Sequence, residues 1–340
     1  MRNPDIMKIY DENRMLHTVT VEVNNHCNWR CKHCYLDDKN ISLEPQKIFE
    51  IIDDARKLGA FELKLSGGEV TLYPQLEKII TYARKKYLNV ILLSNMSMLS
   101  EPVFSCIQKY GITGVEVTLF SLRDSIHDEF VGSKGALQRS LKNIQKLKNL
   151  GIDILVKTWA IKSNFHELES MREYFESHGY RFSVDVQIYS DINGIMKLPK
   201  EEQLSEKEYC HALYLQDSTR QFPIDISTNT RLCDDFSTSI YITASGDIIP
   251  CAKYRKPLAN IHHETLRSVW ESSLLLHQIQ NYCLEDCEGC KNCNIKNYCV
   301  RCGAMAFIKG FDFLDNCEET CILAKIRASN YTSVLGGKIY

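Results

Sequence analysis

The segment Cys27-Asn28-Trp29-Arg30-Cys31-Lys32-His33-Cys34 places three thiols on one short stretch of chain. A cubane iron–sulfur cluster has four irons, so three thiolate ligands leave one iron open to bind another molecule. An electron-transfer cluster is normally held by four cysteines, and a structural zinc site is closed by four ligands. The C-x3-C-x2-C spacing therefore indicates chemistry at a metal centre. The alternatives are a zinc knuckle or three unrelated buried thiols.

With the aromatic ring of His33 just before its last cysteine, this loop resembles the signature of the radical S-adenosylmethionine (SAM) superfamily. The resemblance implies that Cys27, Cys31 and Cys34 hold a [4Fe–4S] cluster whose open iron chelates the amino and carboxylate groups of SAM. One electron from the cluster then splits SAM into methionine and a 5′-deoxyadenosyl radical, which abstracts hydrogen from a substrate.

The composition limits which compartment and which partners we expect for the protein. A formal net charge of −2 over 340 residues gives no basic field for nucleic acid or anionic lipid. No stretch approaches the roughly 20 apolar residues of a membrane helix, and residues 1–15 contain no signal-peptide core. We therefore expect a cytoplasmic protein with neither membrane nor nucleic acid as a partner. In that compartment the fifteen cysteines are not expected to form disulfides, and the ten within residues 233–321 are clustered as metal ligands would be. Cys106 and Cys210 lie in helical patterns and are predicted to be small buried apolar side chains.

From about residue 18 to residue 190, short runs of alternating apolar residues are interleaved with longer helix-periodic runs. Glycines at 59, 111, 151 and 179 follow four of these runs, where left-handed residues end helices. Six βα repeats predict an α/β fold with a parallel sheet covered by helices, curled into a partial (β/α)6 TIM-like barrel. The predicted strands span 17–24, 61–66, 89–94, 115–120, 152–160 and 182–188, and the helices 44–58, 74–87, 101–110, 136–150 and 165–178.

Strand alternation adds an independent indication. In the first strand Val19, Val21 and Val23 alternate with Thr18, Thr20 and Glu22, and three other strands show the same pattern. Parallel strands buried on both faces normally read as continuous apolar runs. We therefore expect one face to pack on helices and the other, polar face to line a reaction chamber inside an open barrel; the alternative is a half-solvated antiparallel sheet.

Further residues are assigned to SAM by the resemblance. Ser66-Gly67-Gly68-Glu69 follows the second strand, where the family's Gly-Gly-Glu segment contacts the methionine amino group; Val70 replaces the usual proline. Paired glycines permit close backbone approach, and a carboxylate can accept from an ammonium group. The remaining candidates follow later strands. Ser94 and Asn95 end the third strand, and Thr118, or alternatively Ser121, would contact the ribose at the end of the fourth. Lys157 and Asn164 resemble the residues near the SAM carboxylate and adenosine.

The C-terminal cysteines resemble the SPASM domain, a radical SAM extension that holds one or two auxiliary [4Fe–4S] clusters. The final C-x2-C, Cys299 to Cys302, departs from the family's usual C-x3-C, and Cys283 and Cys287 are surplus. By resemblance the first auxiliary cluster takes Cys233, Cys251 and Cys302, with Cys283 or Cys287 as candidates for a fourth ligand. The second takes Cys290, Cys293 and Cys299, with either Cys321 or Cys317. A zinc ribbon is the alternative, but its CxxC pairs are normally farther apart.

The expected organisation is a short lead (1–16), the barrel (17–200), a bridging region (201–227), the SPASM domain (228–328) and a flexible tail (329–340). The sequence also predicts a linker over 190–200, a hairpin over 239–250 that turns at Ser245-Gly246, and a helix over 266–279. The resemblance implies an enzyme that crosslinks or oxidises a peptide or protein and receives electrons from flavodoxin or ferredoxin. Because only 16 residues precede the first strand, we expect any leader peptide to need a separate binding protein. The alternatives are dehydrogenation of an alcohol or sugar, and a non-enzymatic electron carrier or redox sensor. Candidate substrate-facing residues are Asp185, Gln187, Tyr189 and Asp191.

Overall fold

The six predicted strands form one parallel sheet, which confirms the α/β fold class. The computed structural model describes residues 4–36, 40–188, 197–218 and 220–335. Every predicted strand is present, with its ends displaced by no more than three residues. The strands are β1 (Thr18–Asn24), β2 (Glu62–Gly67), β3 (Asn89–Ser94), β4 (Gly114–Thr118), β5 (Asp153–Trp159), β6 (Arg181–Asp185), β7 (Ser239–Ile242), β8 (Asp247–Ile249) and β9 (Ala259–Asn260).

The sheet continues beyond the predicted barrel. Its order is β6-β5-β4-β3-β2-β1-β7-β8-β9, so β1 has a parallel neighbour on each side. β7 and β8 form the predicted antiparallel hairpin that turns at Ser245-Gly246. The C-terminal region therefore shares a sheet with the barrel, an arrangement that the sequence did not predict.

Helices cover the outer face of the sheet because their apolar residues recur at helical spacing. On α2, Ile48, Ile51, Ile52 and Ala55 follow the i, i+3, i+4, i+7 pattern and are all buried. The helices are α1 (Pro4–Glu12), α2 (Pro45–Lys57), α3 (Leu76–Lys85), α4 (Glu101–Tyr110), α5 (Asp124–Val131), α6 (Ala136–Lys148), α7 (Leu168–Ser177), α8 (Glu206–Gln216), α9 (Asp235–Thr238), α10 (Leu266–Ser272), α11 (Leu274–Asn281), α12 (Gly303–Ile308) and α13 (Glu318–Leu335). None of the helices in the described ranges is both long and apolar enough to cross a bilayer.

Three helical predictions differ from the structure. The helix predicted over residues 266–279 is broken into α10 and α11 at Ser273, whose hydroxyl accepts from the Leu276 N–H and so caps a new helix. α13 continues to Leu335, whereas a flexible tail was predicted from residue 329. α5 was not predicted at all. Most of the predicted linker at 190–200 lies outside the described residues.

Candidate active site

The cluster loop, residues 27–34, lies at the carboxyl end of β1 and is held there by α5. The amide groups of Arg30 and Lys32 donate to the carbonyls of Val131 and Phe130 at 2.8 and 3.1 Å. His33 is enclosed by the rings of Phe120, Phe130 and Trp159, with centroids 5.1 to 5.5 Å away. Burial lowers the pKa of His33 to about 4. The loop is thus fixed by main-chain bonds and aromatic packing before any metal binds.

Gly67 and Gly68 let the end of β2 lie directly against the chain that leads into this loop. The Gly68 amide donates to the Asn24 carbonyl at 2.8 Å, and the Glu69 amide to the His26 carbonyl at 2.6 Å. A Cβ atom on Gly68 would clash with the carbonyls of Asn25 and His26. The structure therefore places the Gly-Gly segment beside the cysteine loop, as the sequence predicts.

The Glu69 side chain is held at the junction of β2 and β3. Its carboxylate is fully buried and accepts from the Thr71 amide and hydroxyl (2.9 and 2.6 Å), the Ser94 hydroxyl (2.5 Å) and the Asn95 amide (2.7 Å). Burial raises the pKa of Glu69, while these donors oppose the rise. Three of the four hydrogen bonds go to Oε1 and one goes to Oε2. The contact of this segment with the amino group of SAM stays a prediction.

Asn95 connects the third strand to the first cysteine. Its Nδ2 donates to Asn28 Oδ1 at 2.9 Å and lies 4.0 Å from Cys27 Sγ. Its Oδ1 accepts from the amide and the hydroxyl of Ser97, both at 2.8 Å. Ser94 is committed to Glu69, so of these two candidates Asn95 is the one that lies at the cluster loop.

The two hydroxyl candidates after β4 are in different environments. Thr118 is half-buried at the last position of β4, opposite Lys157 of β5. Ser121 is fully buried; its hydroxyl donates to Glu167 at 2.6 Å and accepts from the Arg123 amide at 2.8 Å. Ser121 therefore shapes the turn after β4, and Thr118 is the hydroxyl that can reach a ligand.

Asn164 is likewise committed to the protein itself. It is fully buried, and its Nδ2 donates to the carbonyls of Phe120 and Trp159 at 2.8 and 2.9 Å. Its Oδ1 accepts from the Ile161 amide at 3.0 Å. The side chain fixes the ends of β4 and β5 relative to each other, so a contact with adenosine would have to come from the neighbouring main chain.

Lys157 belongs to an ion cluster on the inner face of the sheet. Glu116 lies between the ammonium groups of Lys64, at 2.8 Å, and Lys157. Burial alone would raise the pKa of Glu116, but the two lysines outweigh it and lower the pKa to about 2. These residues are on the strand face that alternation predicts to be polar, opposite the fully buried Val115 and Val117 side.

A second polar cluster was missed by sequence reasoning. The Glu22 carboxylate, on β1, accepts from Tyr241 at 2.8 Å, from Tyr35 at 3.2 Å and from two nitrogens of Arg255, each at 3.2 Å. Tyr35 follows the cluster loop, whereas Tyr241 and Arg255 belong to the C-terminal region. Alternation identified Glu22 as inward-facing, but two of its partners, Tyr241 and Arg255, are more than 200 positions away along the chain.

The substrate-facing candidates are only partly described. Asp185, the last residue of β6, is half-buried, and its Oδ1 accepts from the Gln187 amide at 2.9 Å. Its charge adds to the effect of burial in raising the pKa of Tyr209 to about 12. Tyr189 and Asp191 lie outside the described residues. The role of Asp185 remains a prediction.

Several of the C-terminal thiols lie close enough to one another to interact electrostatically. Burial raises the pKa of Cys233 to about 12 and of Cys251 to about 11. The Cys233 thiol also interacts electrostatically with Cys251, which in turn interacts with Cys302. Similarly, Cys299 and Cys321 each interact with Cys290 and Cys293.

The placement of Cys317 favours Cys321 as the last member of the second group. The Cys317 thiol is buried and donates to the Glu319 carboxylate at 2.9 Å. Of the surplus cysteines, Cys283 lies at the start of a short turn, where its thiol donates to Asp286 at 3.4 Å. Cys287 is fully buried beside Cys290.

The donor chemistry fits iron–sulfur clusters. All fifteen cysteines are present as thiols rather than disulfides. Within the described ranges, no three His, Cys, Asp or Glu side chains converge as ligands of a single metal ion would. In a cubane cluster each cysteine thiolate binds a separate iron. Cys27, Cys31 and Cys34 would hold one cluster on this basis.

Two family models match the chain in these regions. The model of the radical SAM superfamily matches residues 21–175, which include the end of β1, the cysteine loop and β2 to β5. The SPASM model, described as an iron–sulfur cluster-binding domain, matches residues 233–294.

Individual proteins resemble the chain along most of its length. AlbA of Bacillus subtilis, an antilisterial bacteriocin subtilosin biosynthesis protein, is 26% identical over 86% of this chain and 67% of its own. An AdoMet-dependent heme synthase of Methanosarcina barkeri is 23% identical over 88% of this chain and 95% of its own. The crystal structure of Streptococcus suis SuiB bound to S-adenosylmethionine superposes with a TM-score of 0.71 at 16% identity, over 93% of this chain and 80% of SuiB.

Proposed function

The chain belongs to the radical SAM superfamily and carries an iron–sulfur-binding SPASM domain, and we propose that it matures a ribosomal peptide or a protein by crosslinking or oxidation. The observation that supports the enzyme class is the position of the three-cysteine loop. It lies at the carboxyl edge of a parallel sheet, against the Gly67-Gly68 main chain and the Asn95 amide.

The residues of this chain have distinct roles in the proposal. Cys27, Cys31 and Cys34 hold the cluster, the main chain of Gly67 and Gly68 receives the amino group of SAM, and Thr118 reaches the ribose. When bound, the cluster supplies the electron that splits SAM into methionine and a 5′-deoxyadenosyl radical, which removes hydrogen from the substrate. The polar inner face around Glu116 and Lys157 orients the substrate for this hydrogen abstraction.

We also propose two auxiliary [4Fe–4S] clusters. The first would be held by Cys233, Cys251 and Cys302, and the second by Cys290, Cys293, Cys299 and Cys321. Their support is the grouping of these thiols in the structure. A flavodoxin or ferredoxin would supply electrons, and a separate leader-binding protein could present the peptide.

The names of two relatives support the choice of substrate class. AlbA is named for bacteriocin biosynthesis, which favours a peptide. A second candidate is a small molecule, because the relative named as a heme synthase is matched over 95% of its length. Among small molecules, that match favours an iron porphyrin over the alcohol or sugar that the sequence analysis gave as the alternative to a peptide.

The experiment begins with anaerobic reconstitution of the purified chain, followed by SAM and dithionite. We expect about twelve irons, four for each of three clusters, and release of 5′-deoxyadenosine. Short peptides encoded beside the gene and an iron porphyrin are then supplied separately. Mass spectrometry showing the loss of two hydrogen atoms per modification in a peptide supports the peptide proposal, and turnover of the porphyrin alone contradicts it.

A matched pair of variants controls for nonspecific damage. Cys31→Ala removes a proposed ligand, whereas Cys106→Ala removes a buried thiol on α4, outside the cluster loop. We expect only Cys31→Ala to abolish 5′-deoxyadenosine release. Wild-type activity in Cys31→Ala would refute the proposed mechanism.

A further inference from the structure

A cavity of about 630 Å³ lies between the segment at residues 289–301 and α13. The thiols of Cys290, Cys293, Cys299 and Cys321 line it, and Cys317 and Arg301 lie in the same wall. These four thiols are the proposed ligands of the second auxiliary cluster, so the inference below depends on that part of the proposed function.

The Arg301 guanidinium is only partly satisfied by the protein. Its Nη2 donates to the carbonyls of Phe313 and Asp315 at 2.7 and 2.9 Å, and its Cζ lies 5.9 Å from the centre of the Phe313 ring. Its Nε and Nη1 atoms are buried and have no hydrogen-bond partner among the described residues. Buried donors of a charged group are rarely left unpaired, because each has lost its water.

The other cations of the cavity are in different situations. Lys309 forms an ion pair with Glu319 at 2.7 Å, the half-buried Lys296 donates to the Lys291 carbonyl at 3.4 Å, and Lys325 is exposed to solvent. Arg301 therefore combines a positive charge with unused, buried N–H groups, and its charge acts on the thiols of Cys287 and Cys321.

We propose that Arg301 donates hydrogen bonds from Nε and Nη1 to the sulfur atoms of the second auxiliary cluster and thereby raises its reduction potential. Reduction adds one negative charge to a cluster, so a fixed cation that donates hydrogen bonds to its sulfurs stabilises the reduced state more than the oxidised one. Arg301 is a positioning and tuning residue in this arrangement: it neither ligates iron nor contacts the reacting atoms.

The test is a redox titration of the reconstituted full chain, followed by electron paramagnetic resonance. In Arg301→Gln we expect a tenfold smaller equilibrium constant for reduction of one auxiliary cluster, which for a one-electron couple is a shift of 59 mV to lower potential. Arg301→Lys keeps the charge and should shift less, in the same direction. Lys325→Gln removes a solvent-exposed cation from the wall of the same cavity, where water screens its charge, and should shift the potential much less.

A second measurement uses the wild-type chain and so does not depend on how the variants fold. With ¹⁵N-labelled arginine, pulsed resonance of the reduced protein should detect a ¹⁵N coupling to one auxiliary cluster, and the coupling should disappear in Arg301→Lys. No coupling in wild-type protein that contains the reduced cluster would overturn the proposal, as would an Arg301→Gln potential equal to that of wild type. An iron content that excludes a second auxiliary cluster would instead refute the cluster assignment itself.

Discussion

At the scale of single residues, the site depends on how closely main chains can approach one another. Gly67 has φ = +147°, and a side chain there would meet the Asn24 carbonyl. Gly68 is as tightly enclosed by Asn25 and His26. These contacts place β2 against the residues that lead into Cys27. The glycines are therefore required by the cluster loop as well as by any ligand.

We expect Gly68→Ala to reduce 5′-deoxyadenosine formation at least tenfold, about 1.4 kcal/mol in transition-state terms, because the added methyl group must displace the start of the cluster loop. The measurement is the rate of SAM cleavage by reconstituted protein. Gly111→Ala is the control: its φ of +69° strains the alanine, but no atom lies within 4 Å of the new methyl group. It should cost about 1–3 kcal/mol of stability and leave cleavage intact. Equal cleavage by both variants would contradict the expectation.

The Glu116 ion cluster predicts a pH dependence of stability. The folded-state pKa of Glu116 is lowered to about 2, from an ordinary value of 4.5. A lowered pKa stabilises the fold above the unfolded value, and this contribution is lost as the pH falls from about 4.5 toward 2. We expect Glu116→Gln to lower the free energy of unfolding of the metal-free protein by about 3 kcal/mol at pH 7, and the difference from wild type to shrink over that pH range.

Urea denaturation at a series of pH values measures this difference. Asp153→Asn is the control, because its ion pair with Arg181 is half exposed on both sides. Exposed pairs contribute about 0–1 kcal/mol. A difference between wild type and Glu116→Gln that does not change with pH would show that the carboxylate is not held ionised by the two lysines.

At the scale of elements, α5 is the support of the cluster loop. Its Phe130 and Val131 carbonyls accept from Lys32 and Arg30, and the Phe130 ring stacks on His33 at 5.5 Å. The loop itself contains no regular secondary structure between its cysteines. Its conformation is consequently set by a neighbouring helix rather than by its own sequence.

The sequence predicts elements whose signal is local and misses those that depend on distant partners. Strand alternation identifies the polar face with Glu116 and Lys157, because each residue's parity follows from its own strand. It cannot show that the Glu69 carboxylate is hydrogen-bonded within the protein, because two of the donors, the Ser94 hydroxyl and the Asn95 amide, come from the end of the next strand. α5 escapes prediction because its eight residues are too few to show a helical period.

We expect Phe130→Ala to weaken cluster binding at the loop in addition to destabilising the fold. Removing a buried phenylalanine costs about 3–5 kcal/mol, and here it also removes the ring that packs on His33. Phe175→Ala, on α7, is the matched control, because Phe175 is equally buried but packs on Tyr180 and Phe182. Iron content and the resonance signal of the SAM-binding cluster should fall only in Phe130→Ala. Equal iron loss in both variants would show that global stability, not the loop, is responsible.

At the scale of the whole molecule, the two family domains are built on one sheet. β1 pairs with β2 of the radical SAM region on one side and with β7 of the C-terminal region on the other. Glu22, near the end of β1, accepts hydrogen bonds from Tyr35, which follows the cluster loop, and from Tyr241 and Arg255 of the C-terminal region. A strand pairing and a buried ion pair, both between residues far apart in the sequence, therefore connect the region of the cysteine loop to the C-terminal region.

The Glu22–Arg255 pair should couple the stability of the two regions. Glu22 is 1% exposed and Arg255 19% exposed in their side chains, so removing either partner leaves a charge that is buried and uncompensated. Such losses cost about 3–5 kcal/mol. We expect Glu22→Gln and Arg255→Met each to lower the free energy of unfolding by about this amount, and the double variant by clearly less than the sum of the two. Chemical denaturation followed by far-ultraviolet circular dichroism provides the four free energies of the cycle. Additive losses would show that the two side chains act independently and that the β1–β7 pairing alone joins the regions.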